Sequence, residues 1–305
     1  MPSPLRLWRG GETPPLQPLP PIALSIDVED WFDGLGLPAH APAVEGDVGR
    51  ILAILASLDR RATFFILGDL AGRHPGLVRQ IAAAGHEIAC HGAGHTHLAT
   101  LGPDRLAAGL REARPLLEDL SGHAVRGFRA PYFSVGPKTA WALDVIAAAG
   151  FTYDASVYPG PNDRYGWPGA PDRPVRHTPT GLVIVPVPML HPRLPIGYSG
   201  GAYLRILPWQ AVRWAALRRE APVVVYAHPW EFADTLPPGG SLRANLTRHP
   251  GRHRFEERFR AFAAAGGGRL DDLVQSREWP AWDGASTGVH PEPDPPRAQV
   301  HEPPP

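Results

Sequence analysis

The chain has 305 residues, of which 43% are hydrophobic and 20% are charged, and its 30 basic and 30 acidic side chains cancel to a net charge of zero. This composition is typical of a globular protein, and the balanced charge argues against a nucleic-acid partner. Cys90 is the only cysteine, which excludes an internal disulfide and a thiolate zinc site. Any bound metal must therefore be held by histidine, aspartate or glutamate.

Both ends of the chain are rich in proline. Residues 1–20 contain the run PPLQPLP, and residues 280–305 end in HEPPP. Because proline lacks a backbone donor, we expect both segments to be extended and disordered. No run of 18 apolar residues is present, so no membrane-spanning helix is expected. The first residues lack an apolar signal-peptide segment, which predicts a cytoplasmic protein, or a periplasmic one if the true start lies upstream.

Between these ends, short β-rich runs alternate with helical patterns. The predicted strands are 22–27, 62–67, 87–91, 127–129, 151–154, 182–187 and 223–228. The predicted helices are 48–59, 75–84, 104–120, 137–149, 208–219 and 255–264. This alternation predicts parallel strands with crossover helices, and thus an α/β fold: a distorted (β/α) barrel over one domain, 21–279.

Glycine and proline mark the connections between these elements. Gly85 and Gly150 each follow an alanine-rich helical pattern, which predicts a left-handed residue that ends the helix. The stretch 158–203 is rich in proline, glycine and aromatic residues and is mostly irregular in pattern. Long loops in compact domains are often functional, so we interpret this stretch as a folded insertion that forms one wall of a site.

Titratable side chains follow most of the predicted strands. They are Asp27, Glu29 and Asp30 after the first strand, His91 and His95 after the third, Arg129 and Tyr132 after the fourth, Asp154 at the fifth, and His228 after the last, where the aromatic Trp230 follows. Carboxyl ends of parallel strands meet at one rim, where barrel active sites lie. Two histidines and one carboxylate form an open site for zinc or another divalent ion.

Each of these signals also has a structural interpretation. His91 and His95 could both lie on one exposed helix face, and the acidic run after the first strand could cap a helix. Gly92 and Gly94 oppose a helix between the two histidines. They favour a loop that turns both imidazoles towards one metal.

With these residues assembled, the sequence resembles the polysaccharide deacetylases that share the NodB homology domain, carbohydrate esterase family 4. Five motifs carry the resemblance in the family's order: SIDVED, HGAGH, FRAPY, DASVYP and YAHPWE. The further runs NDRYGWP and GYSGGAYLRILP are similar to the subgroup that accompanies bacterial exopolysaccharide and exosortase systems. The resemblance implies a metal-dependent hydrolase that removes N-acetyl groups from a polysaccharide.

The resemblance also implies a metal, expected to be zinc, that is bound by one carboxylate and two histidines: Glu29, His91 and His95. The family usually has two adjacent aspartates here, the first a base and the second a ligand, whereas Val28 follows Asp27 in this chain. Asp27 matches the base, with Arg129 holding its charge. Glu29 is the preferred ligand because some relatives place it two residues after the base, and Asp30 is the alternative.

Further roles follow from the same resemblance. The backbone N–H of Tyr132 is expected to stabilise the oxyanion, and His228 to protonate the leaving amine, with Asp154 holding its ring. Pro131, Tyr132 and Trp230 are expected to contact the sugar.

Two other functions remain open from the sequence. One keeps the fold and the metal but acts on a small amide or ureide, as an allantoinase does. The other is a catalytically silent carbohydrate-binding protein. The presence of the base, the two histidine ligands and the late histidine favours an enzyme, and the aromatic loop favours a polysaccharide substrate.

Overall fold

The computed structural model describes residues 20–30, 43–162, 165–191, 194–233 and 250–285. The predicted disordered N-terminus, apart from its last residue, and residues 286–305 of the predicted tail lie outside this range. Ala281–Trp282 form a strand within the predicted tail, so the folded domain extends past the predicted boundary at 279. No helix in the described ranges has the length and hydropathy needed to cross a membrane.

Eleven strands and ten α-helices are described. The strands are β1 (Ile22–Val28), β2 (Thr63–Ile66), β3 (Glu87–Cys90), β4 (Gly127–Phe128), β5 (Tyr153–Asp154), β6 (Val175–His177), β7 (Val183–Ile184), β8 (Met189–His191), β9 (Leu194–Gly197), β10 (Val223–Ala227) and β11 (Ala281–Trp282). The helices are α1 (Val44–Ser57), α2 (Gly68–Arg73), α3 (Pro75–Ala83), α4 (Leu98–Leu101), α5 (Pro103–Ser121), α6 (Trp141–Ala148), α7 (Gly201–Ile206), α8 (Trp209–Arg218), α9 (Phe255–Ala265) and α10 (Leu270–Gln275).

Nine of these strands form one sheet in the order β10-β1-β2-β3-β4-β5-β7-β6-β11. The neighbours pair in parallel except for β6 and β7, which are antiparallel. The sheet curls into a half-barrel with helices packed around it, and β8 and β9 form a separate hairpin. The predicted α/β barrel class is therefore confirmed, and all seven predicted strands are present.

The first strand shows how the sheet positions functional groups. All seven residues of β1 are buried, as expected for a parallel strand covered on both faces. Leu24 and Ile26 join the main hydrophobic core, whereas Ala23 packs with the residues inside the half-barrel. Because side chains alternate along a strand, Ser25 and Asp27 share the inner face with Ala23. Asp27 therefore enters the barrel interior near the carboxyl end of the strand.

Two helices end as the sequence predicts. Gly85 after α3 and Gly150 after α6 have φ values of +80° and +84°, the left-handed region that glycine adopts readily. An arginine covers each helix end: the guanidinium of Arg61 donates to the carbonyl of Gly85, and that of Arg114 to the carbonyl of Ala149. These contacts satisfy carbonyls that the ends of the helices leave unpaired.

The stretch 158–203 is more ordered than its pattern indicates. It contains β6, β8 and β9, none of which the sequence predicts, besides the predicted β7. Several of its side chains join a small buried cluster with residues from outside the stretch. The cluster is made of Phe133, Tyr158, Val187, Met189 and Tyr226, with Tyr165 and Tyr203 packed on it. The hydroxyl of Tyr158 accepts from the backbone N–H of Gly197 and lies 3.2 Å from the hydroxyl of Tyr203.

Candidate metal centre and active site

Three of the predicted ligands lie together at the carboxyl ends of the strands. One ligand atom from each of Glu29, His91 and His95 lies within 4.8 Å of the others. The Oε2 of Glu29 is 2.5 Å from the Nε2 of His95 and 4.0 Å from the Nε2 of His91. Glu29 follows β1 directly, and His91 follows β3.

The two histidines lie in a loop, as the glycines between them predict. Gly92 has a φ of +93°, a conformation that opposes a continuous helix. The carbonyls of Gly92 and Ala93 accept from the first backbone N–H groups of α2, those of Gly68 and Asp69, each at 2.8 Å. A Cβ on Gly94 would lie only 2.8 Å from a carboxylate oxygen of Asp69. The loop is therefore fixed by α2, and this fixes the separation of the two imidazoles.

The protonation of these groups fits a divalent cation. The Nδ1 of His91 lies 2.8 Å from the backbone carbonyl of Arg129, to which it donates, so Nε2 is left as a lone-pair donor facing Glu29. Burial lowers the pKa of His91 to about 4, which keeps the ring neutral. Burial raises the pKa of Glu29, but His95, His228 and His91 lower it more, to about 2. Two imidazoles and one carboxylate are a common donor set for a catalytic metal.

Asp30, the alternative ligand, is directed elsewhere. Its Oδ1 accepts from the backbone N–H of Ala43, 3.2 Å away, just before α1. The structure thus brings Glu29 rather than Asp30 to the two histidines.

Asp27 and Arg129 form a buried ion pair next to this group. The Nη1 of Arg129 lies 2.6 Å from the Oδ1 of Asp27 and also donates to the hydroxyl of Ser25. The Nε of Arg129 donates to the carbonyl of Ala155, and the guanidinium lies over the ring of Phe65 at 4.2 Å. Charge-assisted bonds of this kind are short and directional. They fix the orientation of the Asp27 carboxylate and balance its charge.

His228 completes the site from the opposite side. It follows β10, the neighbour of β1, and its Nε2 lies 3.8 Å from the Oε1 of Glu29. Its Nδ1 lies 3.3 Å from the Oε2 of Glu231. Burial lowers the pKa of His228, but the hydrogen bond to Glu231 and the charges of Glu29, Glu231 and Asp27 raise it to about 9. The ring of Trp230 stacks on His228 with 5.1 Å between centroids.

The predicted contact between Asp154 and His228 is wrong. The Asp154 carboxylate accepts from the hydroxyl and the backbone N–H of Ser156, at 2.5 and 3.0 Å. The Ser156 hydroxyl in turn accepts from the backbone N–H of Ala130, so Asp154 supports the loop that follows Arg129. Burial raises the pKa of Asp154 to about 6.

Glu231, which the sequence analysis missed, occupies the position expected of Asp154. It lies three residues after His228, at the end of the short 3-10 turn Pro229–Glu231. That spacing could have identified it, because residues three apart meet on one side of such a turn. Arg205 lies 3.0 Å from Glu231 and was also missed, since no local pattern links two residues so far apart in sequence.

The loop after Arg129 carries strained backbone. Tyr132 and Phe133 have φ values of +60° and +51°, a region that residues other than glycine rarely adopt. This conformation places the Tyr132 ring edge-on to His95, with 4.5 Å between centroids. Tyr132 and Trp230 are partly exposed, whereas Pro131 is buried. Of the three predicted sugar contacts, the structure therefore exposes two, and the oxyanion role of Tyr132 stays a prediction.

Comparison with known proteins identifies the class of this fold and site. The polysaccharide deacetylase family model matches residues 36–153, and a domain of unknown function, DUF3473, matches residues 155–278. An allantoinase structure shares the fold, with a TM-score of 0.52 and 19% identity over 84% of this chain and 91% of that one. Residues 36–153 therefore match the polysaccharide deacetylase family, and the matches together support a NodB-type polysaccharide deacetylase, carbohydrate esterase family 4.

Two curated relatives have names that state an enzymatic activity. The peptidoglycan-N-acetylglucosamine deacetylase of Bacillus cereus is 35% identical over 83 residues, which are 27% of this chain and 30% of the relative. A chitooligosaccharide deacetylase of Sinorhizobium fredii is 32% identical over 110 residues, 36% of this chain and 48% of the relative. In each of these matches the chain spans less than half the length of the relative.

The two matched segments build one sheet and one site. The first strand, which carries Asp27, precedes both segments and pairs with β2 of the first and β10 of the second. The candidate metal ligands His91 and His95 come from the first segment, and His228 comes from the second. The boundary between the two family models therefore does not separate the candidate site residues, which one sheet brings together.

Proposed function

We propose that the protein is a metal-dependent hydrolase that removes N-acetyl groups from a polysaccharide built from N-acetylated sugars. One observation supports this most strongly: the Glu29, His91 and His95 group lies between a carboxylate held by an arginine and a histidine with a raised pKa. Amide hydrolysis needs a base for the attacking water and an acid for the leaving amine. Asp27 and His228 are placed for these two tasks.

Zinc is the metal that we propose for this site, because two imidazoles and a carboxylate are a ligand set of catalytic zinc. When bound, such an ion polarises the acetyl carbonyl and lowers the pKa of water from ~15.7 to about 7. Asp27 would then accept the proton of the attacking water, while Arg129 holds the carboxylate in position. His228 delivers a proton from Nε2 to the amine nitrogen as the bond to carbon breaks. Acid–base assistance of this kind contributes about 10²–10⁴-fold to the rate.

The proposal of a polysaccharide substrate rests on the exposed aromatic side chains and on the named activities of the relatives. Trp230, Tyr165 and Tyr203 are large, partly exposed side chains, and such rings stack on sugar faces. The named activities of the relatives are directed at N-acetylglucosamine in peptidoglycan and at chitooligosaccharides. We further propose a bacterial exopolysaccharide as the natural polymer, which rests on the motifs of residues 155–278. The allantoinase likeness supports the fold alone and does not favour a small amide.

The test is acetate release by metal-stripped protein before and after addition of zinc. The substrates are N-acetylglucosamine oligomers, an exopolysaccharide from the source organism and allantoin. Zinc-restored release of acetate from the saccharides, with no turnover of allantoin, is the expected result. Turnover of allantoin alone would establish the small-amide alternative. An inactive protein with bound zinc would indicate a silent carbohydrate-binding protein.

A further inference from the structure

The groups that contact the Nδ1 atom and the face of the His228 ring, and the arginine behind them, come from the segment matched by the domain of unknown function, residues 155–278. They are Glu231, Trp230 and Arg205. Glu231 uses its two carboxylate oxygens for different partners. Its Oε2 faces the Nδ1 of His228 at 3.3 Å and accepts from the backbone N–H of the same residue at 3.2 Å. Its Oε1 lies 3.0 Å from the Nε of Arg205. The three side chains thus form a chain of contacts that ends at the active site.

The carboxylate and the guanidinium of these contacts are almost fully withdrawn from water. The side chain of Glu231 is 0% exposed and that of Arg205 is 1% exposed. A buried ion pair gains little stability over apolar side chains of the same size, because both charges lose their hydration. Its stabilising value alone is therefore a weak reason for its presence beside a catalytic histidine.

Arg205 also contacts the second neighbour of His228. Its guanidinium lies over the ring of Trp230 at 5.5 Å, and that ring stacks on the imidazole of His228 with an interplanar angle of 15°. The Nη1 of Arg205 also donates a hydrogen bond to the carbonyl of Pro250, 3.2 Å away. Arg205 therefore touches both groups that restrict the imidazole: the carboxylate at Nδ1 and the ring on its face.

We propose that Glu231 and Arg205 are positioning residues for His228, and that supplying this assembly is a catalytic task of the segment of unknown function. This inference rests on the proposed deacetylase function. Glu231 accepts the Nδ1–H of His228 and fixes the rotation of the ring, so that the Nε2–H points towards the amine of the substrate. Arg205 holds the carboxylate in the orientation that this bond needs. A carboxylate that orients a catalytic histidine is a recurring arrangement in hydrolases.

The test compares two substrates that differ in their need for a proton donor. An N-acetylated sugar oligomer releases an amine, which must be protonated as it leaves, whereas 4-nitrophenyl acetate releases a stable phenolate. Glu231→Gln, which keeps the size of the side chain, should lower kcat on the oligomer by about 10²–10⁴-fold, the usual contribution of acid–base assistance. Turnover of the ester and KM for the oligomer should stay at the wild-type level. His228→Asn should lower kcat on the oligomer at least as much as Glu231→Gln does, and Arg205→Lys, which keeps the charge, should lower it less.

The ester also reports on folding in every variant, provided that the rate with metal-stripped protein is subtracted and only the zinc-dependent cleavage is compared. Equal losses on the oligomer and the ester in Glu231→Gln would mean that Glu231 only stabilises the fold, and this would overturn the inference. Wild-type protein that cleaves the ester but no N-acetylated sugar would instead contradict the proposed function.

If the protein cleaves no N-acetylated sugar, a measurement on the protein without substrate still tests the role of Glu231. The hydrogen-bonded Nδ1–H of His228 should give a downfield proton resonance, assigned by its loss in His228→Asn. The resonance should disappear in Glu231→Gln and weaken in Arg205→Lys. Its persistence in Glu231→Gln would exclude Glu231 as the group that orients the ring, whatever the reaction.

Discussion

The two ends of the strands both bury carboxylates, but they surround them with different partners. At the carboxyl end, Glu29 faces histidines and Asp27 is paired with an arginine. At the amino end, Glu87 accepts from the hydroxyls of Thr63 and Tyr153, at 2.5 and 2.7 Å. Burial raises the pKa of a carboxyl group at either end, so the partners decide whether it is charged.

The pKa values of the two buried glutamates are shifted in opposite directions. Burial raises the pKa of Glu29, but the facing histidines lower it by more than burial raises it, to about 2. Burial raises the pKa of Glu87 to about 7, because its hydroxyl and backbone partners compensate only in part. One partner is the backbone N–H of Asp271 in α10, so this network ties the last of the described helices to the barrel. In barrels of this type, chemistry lies at the carboxyl end and stability at the amino end.

Asp27→Asn is the strongest test of this division, because it removes the proposed base at the carboxyl end. We expect turnover of N-acetylglucosamine oligomers to fall by about 10²–10⁴-fold, while the neutral amide keeps the shape of the site and the bond from Arg129. Binding of the oligomers, measured by calorimetry, should be preserved. Turnover at the wild-type rate would remove Asp27 as the base.

Glu29→Gln and Asp30→Asn form a matched pair that locates the metal carboxylate. Each removes one negative charge from adjacent buried residues, but only Glu29 lies against the two histidines. We expect Glu29→Gln to weaken zinc binding by at least about 10–100-fold, the range seen even for groups that only support a ligand. Asp30→Asn should retain zinc, as measured by titration with a competing chelator. Loss of zinc from Asp30→Asn alone would move the ligand to that residue.

Much of the carboxyl end was predictable from the sequence because its signals are local. The apolar run of β1 predicts a buried strand, and its end carries Asp27 and Glu29. Gly92 between His91 and the next histidine predicts a loop. In each case the residues that act together are separated by a few positions, or follow strands that a parallel sheet brings side by side.

The remaining features depend on contacts between distant segments. Strands β6, β8, β9 and β11 have two to four residues, too few to show a period of alternation, and they exist only because a partner pairs with them. Arg205 reaches Glu231 across 26 residues. Asp154 was assigned to His228 by family pattern, but the neighbouring Ser156 provides both of its donors.

Glu87→Gln tests the amino end through the pH dependence of stability. The folded pKa of Glu87, about 7, is higher than the ordinary value of 4.5. Its contribution to stability is therefore complete below pH 4.5 and is lost as the pH rises through 7, because the folded state must then release a proton that it binds more tightly than the unfolded chain. Across this window, the wild-type free energy of unfolding should fall relative to Glu87→Gln by up to about 3 kcal/mol.

Denaturant unfolding of both proteins from pH 4 to 8 measures this difference. Acetate release by Glu87→Gln should equal that of the wild type, since the substitution lies at the opposite end of the strands from the catalytic groups. A difference in unfolding free energy that does not change with pH would contradict a neutral Glu87 in the folded protein.

Tyr153→Phe has the smallest expected effect and examines whether the two ends are independent. The substitution removes one hydrogen bond to Glu87 but keeps the ring, which packs edge-on against Phe65, the residue beneath Arg129. We expect a loss of about 1 kcal/mol in unfolding free energy and an unchanged kcat. Since the Tyr153 hydroxyl also lowers the pKa of Glu87, its removal should shift the pH-dependent fall in stability to higher pH. A reduced kcat in this variant would show that the Phe65 contact transmits changes at the amino end to Arg129 and Asp27, and the two ends would then have to be treated as one coupled network.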